Sequence, residues 1–225
     1  MGLSLQTSLQ QGEMDMDFAK LMKSVEDAVY EVMVWLLLLP KTMLWTMFKP
    51  RKAMEYIDTE WDKKPDERFD EYLSPVMLWL ISAVIPMTLW FILERPDVEN
   101  SQDFLKALSS DIYQVTFYMM LIPFLYIAWM EWLNKEPVKR STLKISFYRH
   151  CYALAPAQVL TFLISPLSAT FPLLLIVNLA IMPVYEAFVF QSELKVSFIR
   201  AFFYATVPQI AVIGLLLSFV TIVPV

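Results

Sequence analysis

A transmembrane helix is predicted most directly by residues 171–190, which read FPLLLIVNLAIMPVYEAFVF. Nearly all of these residues are apolar, and Glu186 is the one charged side chain among them. A helix of about 20 apolar residues crosses the roughly 30 Å hydrocarbon core of a bilayer. Lipid offers the backbone no hydrogen-bond partners, so only helices and closed barrels cross it. Because the apolar residues are continuous and do not alternate with polar ones, the stretch predicts a helix.

Other stretches of similar length and composition indicate that the chain crosses a bilayer several times. We predict an all-α fold, a polytopic transmembrane helix bundle of about five spans. The composition agrees, since 57% of the 225 residues are hydrophobic and soluble domains have about 45–50%. The predicted spans are residues 73–93, 112–133, 152–168, 171–190 and 199–223.

The remaining composition argues against several classes of function. A net charge of −5 is unsuited to a nucleic-acid partner, because phosphate binding needs a basic face. His150 and Cys151 are single residues of their types, whereas a metal site needs three or four ligands. We therefore expect no metal and no cofactor, with His150 at the level of the lipid headgroups and Cys151 as a small apolar filler. No nucleophile with an oriented base is identifiable, so we expect a protein without enzymatic activity.

The chain divides into four regions. Residues 1–16 are polar and are expected to form a flexible tail. Residues 17–48 predict an amphipathic helix that lies on the membrane surface. Residues 49–72 form a charged cytoplasmic segment, and residues 73–225 form the five-span transmembrane domain.

The surface helix has an apolar side at three- and four-residue spacing and a charged side opposite. An alternative is a helix from Val29 to Phe48 that spans the bilayer. Lys41 counts against that alternative, because a lysine in mid-span costs a few kcal/mol. The apolar side consists of Phe18, Leu21, Val25, Val29, Val32 and Leu36.

The distribution of lysine and arginine predicts the orientation in the membrane, because basic residues accumulate on the cytoplasmic side. Of the 18 basic residues, nine precede the first span, five lie in residues 134–150 and two lie in residues 191–200. These three regions fall on the same side of the membrane. We therefore expect a cytoplasmic N-terminus and a C-terminus, Val225, outside.

Each predicted span contains one proline that we single out as a candidate kink. A proline inside a helix removes a backbone hydrogen bond and bends the rod. These prolines either shape the bundle or serve as hinges around a substrate cavity. They are Pro86, Pro123, Pro156, Pro183 and Pro208.

Four polar side chains inside the last three spans form a candidate intramembrane cluster. Gln158, Asn178 and Gln209 are expected to face one another and to hydrogen-bond as glue between helices. Glu186 is expected to reach the cytoplasmic interface or to pair with Arg149 or Arg200. In the alternative interpretation the four residues line a polar pathway, with Glu186 coupled to protons.

Two short motifs resemble those of the Yip1 domain family. Asp70-Glu-Tyr-Leu-Ser-Pro75, with Asp70, Tyr72 and Pro75, is similar to the family's Asp-Leu-Tyr-Gly-Pro motif, with one residue more and no glycine. Tyr152-Ala-Leu-Ala-Pro156 lies where the family has a tyrosine-rich stretch that ends in proline. The resemblance implies a cytoplasmic N-terminal region followed by five spans, and it is strongest to bacterial members labelled permeases. It thereby implies a location in a bacterial cytoplasmic membrane.

The resemblance, more than any single residue, suggests a function through contacts. We expect a scaffold, an accessory subunit or a membrane-organising factor, whose partners are membrane lipids and another membrane protein or a second copy. A small transporter or channel is the alternative. It is favoured by the polar cluster, the prolines and a repeat, in which LKISFYR at 143–149 recurs as LKVSFIR at 194–200.

Overall fold

The computed structural model describes residues 3–94, 121–134, 137 and 139–222. All regular secondary structure in these residues is helical. The chain forms two compact units, Met1–Lys41 and Thr42–Val225. Residues 95–120 lie outside the described residues, and they include the predicted connection at 95–111 and the first residues of the predicted span 112–133. The all-α prediction is therefore confirmed for the described part of the chain.

The elements in chain order are α1 (Leu3–Phe48), α2 (Pro50–Trp61), a 3-10 turn (Pro65–Glu67), α3 (Pro75–Glu94), α4 (residues 121–134), α5 (Arg140–Thr170), α6 (Pro172–Leu194) and α7 (Phe198–Ile222). Helices α3, α6 and α7 begin and end within a few residues of the predicted spans, whereas α5 begins twelve residues before its predicted span 152–168. Prolines stand at the start of α2, α3 and α6, where a missing backbone N–H costs nothing and the fixed φ favours the first turn.

Helix α1 is longer than the sequence suggested. It begins at Leu3, where a flexible tail of residues 1–16 was expected, and it continues through Pro40 to Phe48. The reason is local, because the segment 3–16 contains no proline and is rich in Leu, Gln and Met, which are good helix formers. Within its own unit, residues 20–33 are exposed on every side of the helix.

Three described helical segments are long and apolar enough to cross a membrane. They are Lys20–Phe48, Arg140–Ser168 and Pro172–Leu194. Two shorter apolar segments, Pro75–Pro86 and Phe198–Gly214, belong to α3 and α7. The structure thus has the helices of a membrane protein, and the segment Lys20–Phe48 meets the length that the spanning alternative for α1 requires.

Helix α5 is the centre of the unit Thr42–Val225. It packs against α2, α3 and α6, and α6 packs in turn against α7. Residues 151–157 of α5 are all buried, and three of them are alanines. Small side chains allow helix backbones to approach closely, which is the usual basis of packing between membrane helices.

The five prolines singled out as candidate kinks all lie inside helical segments, and each is buried. Pro86 lies in α3, Pro123 in α4, Pro156 in α5, Pro183 in α6 and Pro208 in α7. None of these helices is interrupted at its proline. The bundle therefore keeps each helix continuous across its proline.

Helix α2 is an amphipathic helix within the segment 49–72, for which the sequence indicated only a charged cytoplasmic region. Ala53, Met54 and Ile57 are buried against α5 and α6, while the charged residues on its other side are exposed. The high share of charged residues in this segment concealed a three-residue apolar stripe that is too short to stand out in a hydropathy pattern.

The last turns of α1 are fastened to the segment before α3. Thr42 is buried, and its hydroxyl oxygen accepts a hydrogen bond of 2.9 Å from the backbone N–H of Leu73. Tyr152 of α5 donates from its hydroxyl to the carbonyl oxygen of Leu73 at 2.7 Å. Both polar groups of the Leu73 backbone are therefore bonded by side chains that arrive from other helices.

We expect Thr42→Val to destabilise the protein by roughly 1–3 kcal/mol, because the buried N–H of Leu73 loses its acceptor while the side-chain shape is kept. The measurement is the free energy of unfolding in detergent. Thr59→Val is the control, since Thr59 is exposed and its hydroxyl bonds only to Glu55 within the same helix. Equal loss in the two variants would contradict this role of Thr42.

Candidate functional site

Arg149 joins three helices at one end of the bundle. Its guanidinium forms ion pairs with Asp58 of α2 and Glu193 of α6, and its side chain is 14% exposed. Arg51 of α2 adds a hydrogen bond of 3.2 Å to the Gln191 amide oxygen. Helix α2 is therefore held across the ends of α5 and α6 by apolar contacts and by charge pairs.

Glu60, the last buried residue of α2, organises the turn that follows. Its carboxylate accepts a hydrogen bond of 2.5 Å from the Lys63 ammonium and one of 2.7 Å from the backbone N–H of Phe69. Phe69 has a φ of 62°, a left-handed conformation that is strained for a phenylalanine. The carboxylate of Glu60 thus helps to hold Phe69 in a backbone conformation that is unfavourable for a phenylalanine.

The surroundings of Glu60 favour its ionised form. Burial by itself opposes ionisation, but the hydrogen bonds from Lys63 and from Phe69 N–H outweigh it, so the pKa of Glu60 lies below its usual value. Burial and the neighbouring Glu60 together raise the pKa of Tyr56, which therefore remains protonated.

Glu60→Gln tests this arrangement through pH. A lowered pKa in the folded state means that the ionised carboxylate stabilises the protein above the pKa of the unfolded chain, about 4.3, and that this contribution is lost as the pH falls through the folded value. We expect the variant to lose roughly 1–3 kcal/mol at neutral pH and the difference from wild type to shrink as the pH falls through the lowered pKa of Glu60. Thermal unfolding of both proteins from neutral to acidic pH measures this difference. Glu55→Gln is the control, because Glu55 is an exposed residue of the same helix. A difference independent of pH would contradict the assignment.

Aromatic side chains fill the space between α1, α2 and α5. Trp45 stacks on Tyr72 with ring centroids 4.2 Å apart, and Tyr56 contacts both rings edge to face. Tyr152 contacts Trp45 and Phe69 in the same way. Such pairs contribute about 0.5–1.5 kcal/mol each beyond the burial of their area.

The two motifs that resemble the Yip1 domain family lie next to each other. Tyr152 and Pro156 are buried in α5, and the Tyr152 hydroxyl reaches the backbone of Leu73 inside the first motif. Within that motif Pro75 is buried at the start of α3, Tyr72 is half-buried and Asp70 is exposed. Two segments far apart in the sequence thus form one contact.

The bundle interior contains a buried acid–base pair. His150 Nδ1 lies 2.6 Å from Glu186 Oε2, and both side chains are fully buried. Rings of Tyr126 and Phe190 pack on His150 at centroid distances of 5.9 and 6.0 Å. The other polar atoms of the pair, His150 Nε2 and Glu186 Oε1, have no hydrogen-bond partner in the described part of the chain.

This pair corrects the sequence-based expectation for Glu186, which was to reach the interface or to pair with Arg149 or Arg200. His150 is buried inside the bundle, and its expected depth at the lipid headgroups stays a prediction. Both residues are buried because they lie on facing sides of α5 and α6, while Arg149, one residue along α5, points instead to Asp58 and Glu193. Cys151 is a buried free thiol, as expected of a small apolar filler.

Gln158, Asn178 and Gln209 do not form the expected hydrogen bonds with one another. Gln209 is buried in α7, and its amide oxygen accepts a hydrogen bond of 2.9 Å from the Tyr126 hydroxyl of α4. Asn178 of α6 donates to the carbonyl oxygen of Thr161 at 3.4 Å, and Gln158 of α5 is half-buried. Tyr126 is not among the candidate site residues singled out from the sequence, so its contact with Gln209 was not predicted.

Within the unit Met1–Lys41, the predicted membrane-facing side of α1 is exposed. Leu21, Val25, Val29, Val32 and Leu36 are each at least half exposed. The side chain of Phe18 lies outside the described part of the structure. An uncovered row of large apolar side chains is the mark of a surface that contacts lipid or another protein.

The two copies of the sequence repeat have different structures. Residues 143–149 lie entirely within α5, whereas residues 194–200 start at the end of α6, pass through Lys195 with a φ of 52° and enter α7. The repeat therefore does not correspond to two equivalent elements. No group of three or more potential metal ligands occurs among the described residues.

Comparison with known proteins adds no relative, since no family model, curated protein or solved structure matches the chain.

Proposed function

We propose that this chain is a non-enzymatic multi-pass membrane protein that works through contacts, as a scaffold, accessory subunit or membrane-organising factor. The observation that carries the proposal is the apolar side of α1 between Leu21 and Leu36, which is exposed within the unit Met1–Lys41. A soluble surface does not keep so many large apolar residues in water, so lipid and a partner membrane protein or a second copy are the proposed contacts.

The proposed arrangement has α3, α4, α5, α6 and α7 as five spans. The basic residues then place the ends joined by Arg149 on the cytoplasmic side. Thr42 and Trp45 of α1 contact the segment just before α3, on that same side. A cytoplasmic N-terminus then requires that α1 both starts and ends in the cytoplasm, which supports a helix lying on the membrane surface.

The resemblance to the Yip1 domain family, in its bacterial form, belongs to this proposal. The contact between its two motifs, Tyr152 on the backbone of Leu73, is compatible with it. A bacterial cytoplasmic membrane is the location that follows from it.

The test is removal of residues 1–41, which ends just before Thr42 and so keeps the contacts of Thr42 and Trp45 with the bundle. We expect the truncated protein to remain folded and membrane-bound but to lose its partner. Affinity purification from the native membrane in mild detergent, with the mass of the intact complex, measures the loss.

Point variants separate the two sides of α1. Val29→Glu with Leu36→Glu charges the apolar side and is expected to release the partner, whereas Lys23→Glu on the opposite side is the matched control. An unchanged complex after truncation and after the double substitution would refute the docking role. A complex lost equally with the control would show that the apolar side is not the contact.

A small transporter or channel is a second candidate, favoured by the buried pair of His150 and Glu186. Fully buried ionisable groups inside membrane bundles are costly and often belong to ion or proton paths. In this candidate the unpartnered atoms of the pair, His150 Nε2 and Glu186 Oε1, bind and release the transported proton. The hydrogen-bonded side chains of Gln209 and Tyr126 continue the polar path.

Proton flux into proteoliposomes, driven by a potassium diffusion potential and followed with a pH-sensitive dye, tests this candidate. We expect Glu186→Gln to abolish flux while the protein still elutes as a folded species, and Glu55→Gln, on the exposed side of α2, to leave flux unchanged. Wild-type flux equal to that of empty liposomes would eliminate the candidate.

A further inference from the structure

Two cations lie against one aromatic ring at the junction of α2 and α5. The guanidinium carbon of Arg68 is 4.5 Å from the centroid of the Trp61 ring, and the Lys144 ammonium is 5.6 Å from the same ring. Tyr148 packs edge to face on Trp61 at 5.8 Å and is 5.9 Å from the Lys144 ammonium. The ring system thus concentrates positive charge on one small surface.

The first turns of α5 extend this surface. Arg140, Lys144 and Tyr148 follow one another at intervals of four residues, so they share one face of the helix. Arg68 is held in place from the other side, since its guanidinium donates hydrogen bonds to the carbonyl oxygens of Trp61 at 2.8 Å and Lys63 at 3.0 Å. We call Arg68, Arg140 and Lys144, with the rings of Trp61 and Tyr148, the basic aromatic cluster.

Arg68 and Lys144 of the basic aromatic cluster contact aromatic rings, and among the described residues the acidic residues that flank Arg68 in the sequence are not its partners. Within the described part of the chain, no carboxylate forms an ion pair with Arg68, Arg140 or Lys144. The first turn of α5 contains no acidic residue, and its N-cap side chain makes no capping hydrogen bond. Cations at a helix N-terminus are disfavoured, because the helix dipole is positive there. An anion bound at this surface would relieve both costs.

We propose that the basic aromatic cluster binds the phosphate group of an anionic phospholipid. The inference rests on the proposed function, in which α5 is a span. The cluster residue Tyr148 comes one helical turn before the predicted span 152–168, so the cluster lies at the cytoplasmic face of the membrane. Tryptophan, tyrosine and basic side chains are all favoured at that depth. Basic pockets between membrane helices on the cytoplasmic side are known to hold anionic headgroups.

A lipid phosphate fits this surface better than a free phosphate ion. The cations are joined to rings that present apolar faces beside the charge, and a lipid offers a phosphate continuous with apolar chains. A free ion would gain only the charge contacts, in competition with water and salt.

Native mass spectrometry of the full chain, titrated with phosphatidylglycerol in detergent, measures the number of lipids retained and their affinity. Each basic residue near a membrane surface contributes about 1 kcal/mol to binding of anionic lipid, so we expect Lys144→Gln and Arg140→Gln each to weaken retention about fivefold. Lys52→Gln is the matched control, because Lys52 is an exposed cation of α2 outside the cluster. The control should retain lipid as wild type does.

Three results would overturn the inference. The first is unchanged retention in both cluster variants, and the second is an equal loss with Lys52→Gln, which would reflect overall charge. The third is displacement of phosphatidylglycerol by inorganic phosphate at similar concentration, which would make a free anion the ligand. Phosphatidylcholine, whose phosphate is neutralised by choline, should be retained more weakly. Partner loss after truncation of residues 1–41 is measured separately, so failure of the lipid site leaves the docking proposal standing.

Discussion

The ion pairs of Arg149 with Asp58 and Glu193 are the contact on which one end of the bundle depends. They join α2, α5 and α6 at a point where apolar packing gives way to water. The arrangement also orients the neighbouring residue. With Arg149 turned toward α2, His150 turns inward and meets Glu186. The rotation of α5 about its axis therefore explains both contacts, the ion pairs of Arg149 and the buried pair of His150 with Glu186.

The same end of the molecule shows how polar groups are satisfied near a membrane. Side chains form the hydrogen bonds of backbone groups that lie outside a helix. Thr42 bonds to the Leu73 N–H, and Tyr152 bonds to the Leu73 carbonyl oxygen. Glu60 does the same for Phe69 N–H. Since an unsatisfied buried group costs about as much as several apolar contacts provide, these few hydrogen bonds determine how the segment between α2 and α3 runs.

The functional proposals concern three separate surfaces. The apolar side of α1 offers a place for a partner, the buried pair of His150 and Glu186 offers a proton site, and the cluster around Trp61 offers a lipid site. The first two lead to different classes of protein, and each has its own variants. The lipid site is compatible with either class, because a membrane protein of any function is surrounded by headgroups.

The sequence alone determined the helical membrane class and, within a few residues, the bounds of α3, α6 and α7, because a bilayer imposes length and composition on each segment separately. It missed the start of α1 at Leu3 and the amphipathic nature of α2, where the signals are short. Only the tertiary structure decided the partners of Glu186 and Gln209, which are His150 and Tyr126. The physical reason is that partner choice depends on the rotation of each helix about its axis and on which helices are neighbours. Neither quantity is set by the hydropathy of a single segment.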